Sequence, residues 1–279
     1  MISLIVNADD YGLTPAVSEG IRVAHKRGVV TSTSAIMTRE CAIREIARAQ
    51  EEVPTLAFGV HLSVSCGRPV LPPEEVPSLL SADGTFAPPE ATGRVHREEL
   101  RQELRAQIER FLETGVRLTH LNSHQCLLER NLEFFAEELA LAKEFKVPVR
   151  WFANIVFRNF CAPRNEGGDR ALVESYERLL RRIGSLHTDS VLATRIAPGE
   201  IERAVSSLSA GIHELMCHPG YVDDALRECD AYVDGRESEL RVLTSPWLRE
   251  CLLESKVTLV DFTAVHSRAE ESSGSGALV

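Results

Sequence analysis

Five side chains in this 279-residue chain could carry hydrolytic chemistry, and all lie within or just past short apolar runs: Asp9, Asp10, His61, His124 and His218. Asp9 and Asp10 follow the apolar opening Ser3 to Asn7. Adjacent carboxylates repel and lose solvation unless a cation or a shared proton relieves them; the bland alternative is that one caps the next helix. Neighbouring strand residues face opposite ways, so both reach one site only where the backbone turns. Tyr11-Gly12 offers a residue free to make that turn. His61 stands in Ala57-Phe58-Gly59-Val60-His61-Leu62, either as a hydrogen-bonded core residue or as a ligand, with Gly59 leaving room for close approach. His124 lies past a short strand, whereas His120 within that strand reads as structural. One carboxylate with two imidazoles makes a facial ligand set with open positions. It suits Zn²⁺, Mn²⁺, Fe²⁺, Co²⁺ or Ni²⁺, and Mg²⁺ less naturally. His218, in Cys217-His218-Pro219-Gly220-Tyr221, either steadies the turn or acts at the same site.

The elements that must position these groups alternate between short β-rich runs and longer helical ones, which implies an α/β fold with a mainly parallel sheet. Strands are expected at Ser3–Asn7, Val29–Met37, Leu56–Val64, Leu118–Leu121, Val147–Trp151, Gly211–Cys217 and Val257–Phe262. Helical periodicity covers Pro15–Arg27, Ala42–Ala49, Arg97–Glu113, Leu132–Phe145, Arg170–Ile183, Ile201–Leu208 and Ser245–Leu253. Val70–Gly93 and Asn159–Asp169 read as loops. In parallel α/β folds functional groups gather at the C-terminal ends of strands, which is where the candidates fall. One domain over 1–266 and a disordered tail over 267–279 are expected.

The formal charge of −10 and an aromatic content of 6% exclude a phosphate-binding or base-stacking surface as the main function. No run approaches the roughly 20 apolar residues of a membrane span, and no secretory leader is evident. Seven scattered cysteines without a C-x-x-C pair read as reduced thiols, with the cytoplasm as the default setting.

Asn7-Ala8-Asp9-Asp10-Tyr11-Gly12, Thr31-Ser32-Thr33-Ser34, Gly59-Val60-His61-Leu62, Thr119-His120-Leu121-Asn122-Ser123-His124 and His218-Pro219-Gly220-Tyr221 together resemble the YdjC-like carbohydrate deacetylases. The match runs in order from the N-terminus to about Asp223. The resemblance implies a distorted TIM-like (β/α) barrel and one divalent metal ion, Mg or Zn foremost, held by Asp10, His61 and His124. By similarity to the wider deacetylase group, Asp9 is the general base and His218 the general acid. The implied substrate is a small N-acetylated sugar or glycolipid, with a homodimer as the expected assembly. Where the family has D-S-H-H-H-x-H, this chain has Asn122-Ser123-His124-Gln125-Cys126-Leu127. Arg150 is expected to orient Asp9 or to contact substrate, with a solvent-facing ion pair as the alternative. Tyr221 and Trp151 are candidates for stacking on a sugar ring or for the core. Two further readings are hydrolysis of another amide and glycan binding without catalysis.

Overall fold

The computed structural model describes residues 1–87, 95–151, 169–192 and 195–274. Strand β1 (Ile2–Tyr11) is buried continuously from Leu4 onward, as a strand covered on both faces must be. It is the centre of the sheet. Along one edge it pairs with β6 (Gly211–Cys217), from Ile2↔Gly211 to Ala8↔Cys217. Along the other, Ile2–Ile5 pair with β7 (Val257–Val260), and β2 (Ser32–Ala35) takes over from Asn7. With β3 (Ala57–Leu62), β4 (Leu118–Ser123) and β5 (Ser190–Leu192), the strand order is β4-β3-β2-β1-β6-β5, every pairing being parallel. Parallel bridges Leu121↔Val149 and Val149↔His187 link β4 to the segment leading into β5, so the sheet curls round as a distorted TIM-like barrel.

Helices α1 (Pro15–Arg27), α2 (Ala42–Glu52), α3 (Arg97–Leu112), α4 (Leu132–Phe145) and α5 (Asp169–Ile183) fall where apolar periodicity placed them. Thr14, not an aspartate, caps α1: its Oγ1 accepts from the Val17 amide at 3.2 Å. Helix α6 is Pro198–Ser206; α7 (Asp224–Cys229) and α8 (Arg236–Leu243) precede α9 (Pro246–Glu254), which Ser245 caps. Among the described residues no helix is long and apolar enough to cross a membrane.

Several expectations change. Val147–Trp151 is not a regular strand and contributes only the bridges at Val149. The periodicity of Arg97–Glu113 groups Leu112 with Leu100, Leu104, Ile108 and Phe111 on one apolar face, yet Leu112 is 40% exposed while those four are buried. The chain from Ser267 was read as tail, yet α10 spans Thr263–Gly274. The helix is tied down by buried Phe262 and Val265, and by Arg268, which donates to the His187 carbonyl at 3.0 Å. Positions 275–279, and all but Asp169 of the loop expected over Asn159–Asp169, lie outside the described residues.

Candidate functional site

The backbone turn that aims two neighbouring carboxylates into one site is made by Asp10 itself, whose φ is +73°. The β1–β2 register shifts between Ala8 and Tyr11, and Asp10 stands two residues before Gly12, the turn residue expected from sequence, whose own φ is +82°. A left-handed non-glycine residue costs on the order of 1–3 kcal/mol and persists only where its surroundings hold it. Here they do. Asp10 Oδ2 accepts from Arg236 Nη2 at 2.6 Å, while Oδ1 lies 3.1 Å from His124 Nδ1 and 3.4 Å from His61 Nε2.

Asp10, His61 and His124 each present a ligand atom within 4.8 Å of the others, and all three are buried. The two imidazole rings meet edge to face, with centroids 5.3 Å apart. His61 Nδ1 lies 2.7 Å from Asn122 Oδ1, which orients the ring with Nε2 toward Asp10. Histidine ligands are ordinarily oriented through the second ring nitrogen in this way. Burial acts to lower the His61 pKa, but the carboxylates of Asp9 and Asp10 outweigh it and hold it above the usual value. A divalent cation is the other way to satisfy the same three donors, and one carboxylate oxygen with two imidazole nitrogens is a donor set it fits.

Asp9 faces a different set of partners. Its Oδ1 accepts from Asn7 Nδ2 (2.8 Å), Ser34 Oγ (3.0 Å), Asn122 Nδ2 (3.2 Å) and Arg150 Nη2 (2.8 Å). Oδ2 accepts from Arg150 Nη1 at 2.6 Å and lies 3.7 Å from His218 Nε2. Burial pushes Asp9 up, and the Arg150 guanidinium, with help from His61 and His218, more than reverses this, holding the carboxyl far below its usual range. Asp9 is therefore ionised throughout the neutral range. Arg150 also donates to Glu214 Oε1 from Nε at 2.8 Å and from Nη2 at 2.5 Å. At 1% exposure Arg150 spans two carboxylates, and the solvent-facing alternative does not hold.

His218 follows β6 and keeps 28% of its side chain exposed. Its backbone N–H donates to Glu239 Oε2 at 2.5 Å; Glu239 Oε1 accepts from the Tyr232 hydroxyl, whose ring meets the His218 ring edge to face at 5.5 Å. Gly220, two residues on, lies against Gly20 of α1: a Cβ on Gly20 would meet Gly220 Cα at 2.6 Å.

Gly59 serves another purpose than the one expected. A Cβ there would meet the His120 ring at 2.5 Å, so the glycine makes room for His120 and not for approach to His61. His120 is fully buried, stacks on Phe262 at 3.8 Å, and burial lowers its pKa well below the usual value. Trp151 is core, stacked with Phe135 and Tyr176; Tyr221 is 37% exposed. The Thr31 to Thr33 hydroxyls serve the backbone at two positions: Thr31 Oγ1 accepts from the Val6 amide and Thr33 Oγ1 donates to the Ala8 carbonyl. The structure thus brings Asp9, Asp10, His61, His124, Arg150 and His218 together, and adds Asn122, Glu214 and Arg236, which sequence reasoning did not assign to the site.

A family model described as YdjC-like protein matches residues 3–254. A carbohydrate deacetylase of Enterococcus faecalis is 32% identical, the match covering 94% of this chain and 97% of that one. A carbohydrate deacetylase of Brevibacillus brevis is also 32% identical, with 94% and 99% covered. A solved Enterococcus faecalis structure, described as a cellobiose-phosphate cleavage protein, superposes with a TM-score of 0.80 at 32% identity over 95% of this chain and 98% of that one.

Proposed function

Because the chain belongs to the YdjC-like family, we propose that it is a metal-dependent carbohydrate deacetylase that hydrolyses the acetamide of an N-acetylated sugar. The observation that carries this reading is the convergence of Asp10, His61 and His124 beside an ionised Asp9 and a partly exposed His218. A divalent cation bound by the three would polarise the amide carbonyl and lower the pKa of a water. Asp9 takes the proton of the attacking water through Oδ2, because Oδ1 already accepts from four donors. Arg150 fixes the carboxylate plane across both oxygens, at a cost in basicity, since a strongly depressed pKa lowers the driving force for proton uptake. In this reading Arg150 positions Asp9 and leaves substrate contact to the site mouth. His218 gives its proton to the departing amine, which leaves poorly without one. Its exposure allows it to reach a bound amide. Asn122, where the family has aspartate, still accepts from His61 and donates to Asp9, so this departure preserves both groups' orientation. That favours catalysis over glycan binding alone. A cytoplasmic setting fits the free thiols of Cys41, Cys66, Cys217, Cys229 and Cys251.

The test is metal analysis of the purified protein beside Asp10→Ala and His61→Ala, with acetate release measured on N-acetylated sugars and on cyclic amides. Both variants should lose the metal, and the parent should release acetate from the sugars. Parental metal content in both variants would refute the ligand assignment, and turnover of cyclic amides alone would refute the substrate class.

A further inference from the structure

Each site aspartate has its own buried arginine, but the two arginines bind differently. Arg150 grips both oxygens of Asp9, at 2.6 and 2.8 Å. Arg236 touches Asp10 through Oδ2 alone, at 2.6 Å, and Oδ1 is left to the two histidines. Arg236 opens α8 and is 0% exposed. It is held on several sides: Nε donates to the Tyr232 carbonyl at 2.8 Å, Nη2 is shared with Asp230, and Cζ stands 5.7 Å over the Tyr232 ring. A guanidinium pinned at so many points cannot swing away from Oδ2.

We propose that Arg236 is a positioning residue that keeps Asp10 a one-oxygen ligand; this rests on the metal-centre reading above. Carboxylates take cations through one oxygen or two. A second oxygen from Asp10 would fill a coordination position that a catalytic site keeps open for water and substrate. Arg236 also steadies the buried Asp10 charge, but charge alone does not choose between the two oxygens. What Arg236 supplies is direction: it occupies one oxygen and turns the other to the ligand set.

The test uses Co²⁺ as the loaded metal, because its visible absorption weakens as ligands are added. Arg236→Met should still take up Co²⁺, with visible absorption weaker than the parent's as Oδ2 joins the metal. Its kcat should fall roughly 10- to 100-fold with a smaller change in KM. An unchanged Co²⁺ spectrum in that variant overturns the proposal while leaving the metal-centre reading intact. A parent protein that takes up no Co²⁺ defeats that reading and this inference with it. Should Arg236→Met fail to fold, Arg236→Lys carries the test, since it keeps the charge and loses the fork. An altered spectrum then supports the proposal, and a parental spectrum overturns it.

Discussion

Asp9 and His218 are adjacent yet ask opposite things of their surroundings. Asp9 is buried and ionised by Arg150; His218 is partly exposed and anchored mainly through its backbone. Asp9→Asn should therefore retain metal and fold while losing most turnover, by roughly 10²- to 10⁴-fold, as checked by metal content and acetate release. For His218→Ala, an activated ester should be hydrolysed far better than the amide, because its leaving group needs no proton; equal losses on both would remove the acid role. Arg150→Lys should lower kcat with KM nearly kept, since one ammonium cannot grip both Asp9 oxygens and Glu214 together. Asp9, Asp10, His61 and His218 were legible because each interrupts or ends an apolar strand, where a polar group calls for an explanation, and His124 because it follows one. Glu214 could have been found by the same rule, standing between His213 and Leu215 in β6. Arg236 could not. It sits in Asp234-Gly235-Arg236-Glu237-Ser238-Glu239, which reads as any solvated helix start.

At the scale of elements, the turn bearing His218 is set by how closely α1 can approach it. Gly20 of α1 rests on Gly220, and an added methyl would meet backbone and not a flexible side chain. Gly20→Ala should destabilise by about 1–3 kcal/mol, as overpacking does, and should depress kcat by displacing His218; thermal melting and steady-state kinetics check the two parts. Strand β6 was readable to its ends, being an apolar run between Gly211 and His218-Pro219-Gly220. Strand β5 was not, because Ser190–Leu192 is too short to show a period and is a strand only through its pairing with β6. Val147–Trp151 erred in the other direction: its residues favour a strand, but its neighbours meet it only at Val149.

For the molecule as a whole, two buried acids that the site does not use make stability depend on pH. Glu138 on α4 is fully buried, and among the described residues neither of its oxygens has a hydrogen-bond partner, nor has Oε1 of Glu129. Burial, reinforced by Glu129, raises Glu138 well above its usual value of 4.5. A carboxyl raised in the folded state stays neutral there and ionises in the unfolded chain. Unfolding therefore releases a proton, and stability is lost progressively as pH rises above 4.5 toward the raised value. Glu138→Met should thus raise Tm at neutral pH by a few degrees, where about 1 kcal/mol corresponds to roughly 2–4 °C. The gain should shrink below pH 4.5; calorimetry at two pH values measures both.

The first strand, lying at the middle of the sheet, has a consequence for biosynthesis. As the polypeptide leaves the ribosome, Ile2–Tyr11 emerges before any of its partners, and Gly211–Cys217 and Val257–Val260 come about 200 and about 250 residues later. Nascent chains fold in the order they are made, yet here an early strand must wait, apolar and with a free edge, for partners made much later. The interval before those last partners arrive is when this chain most needs a chaperone's cover.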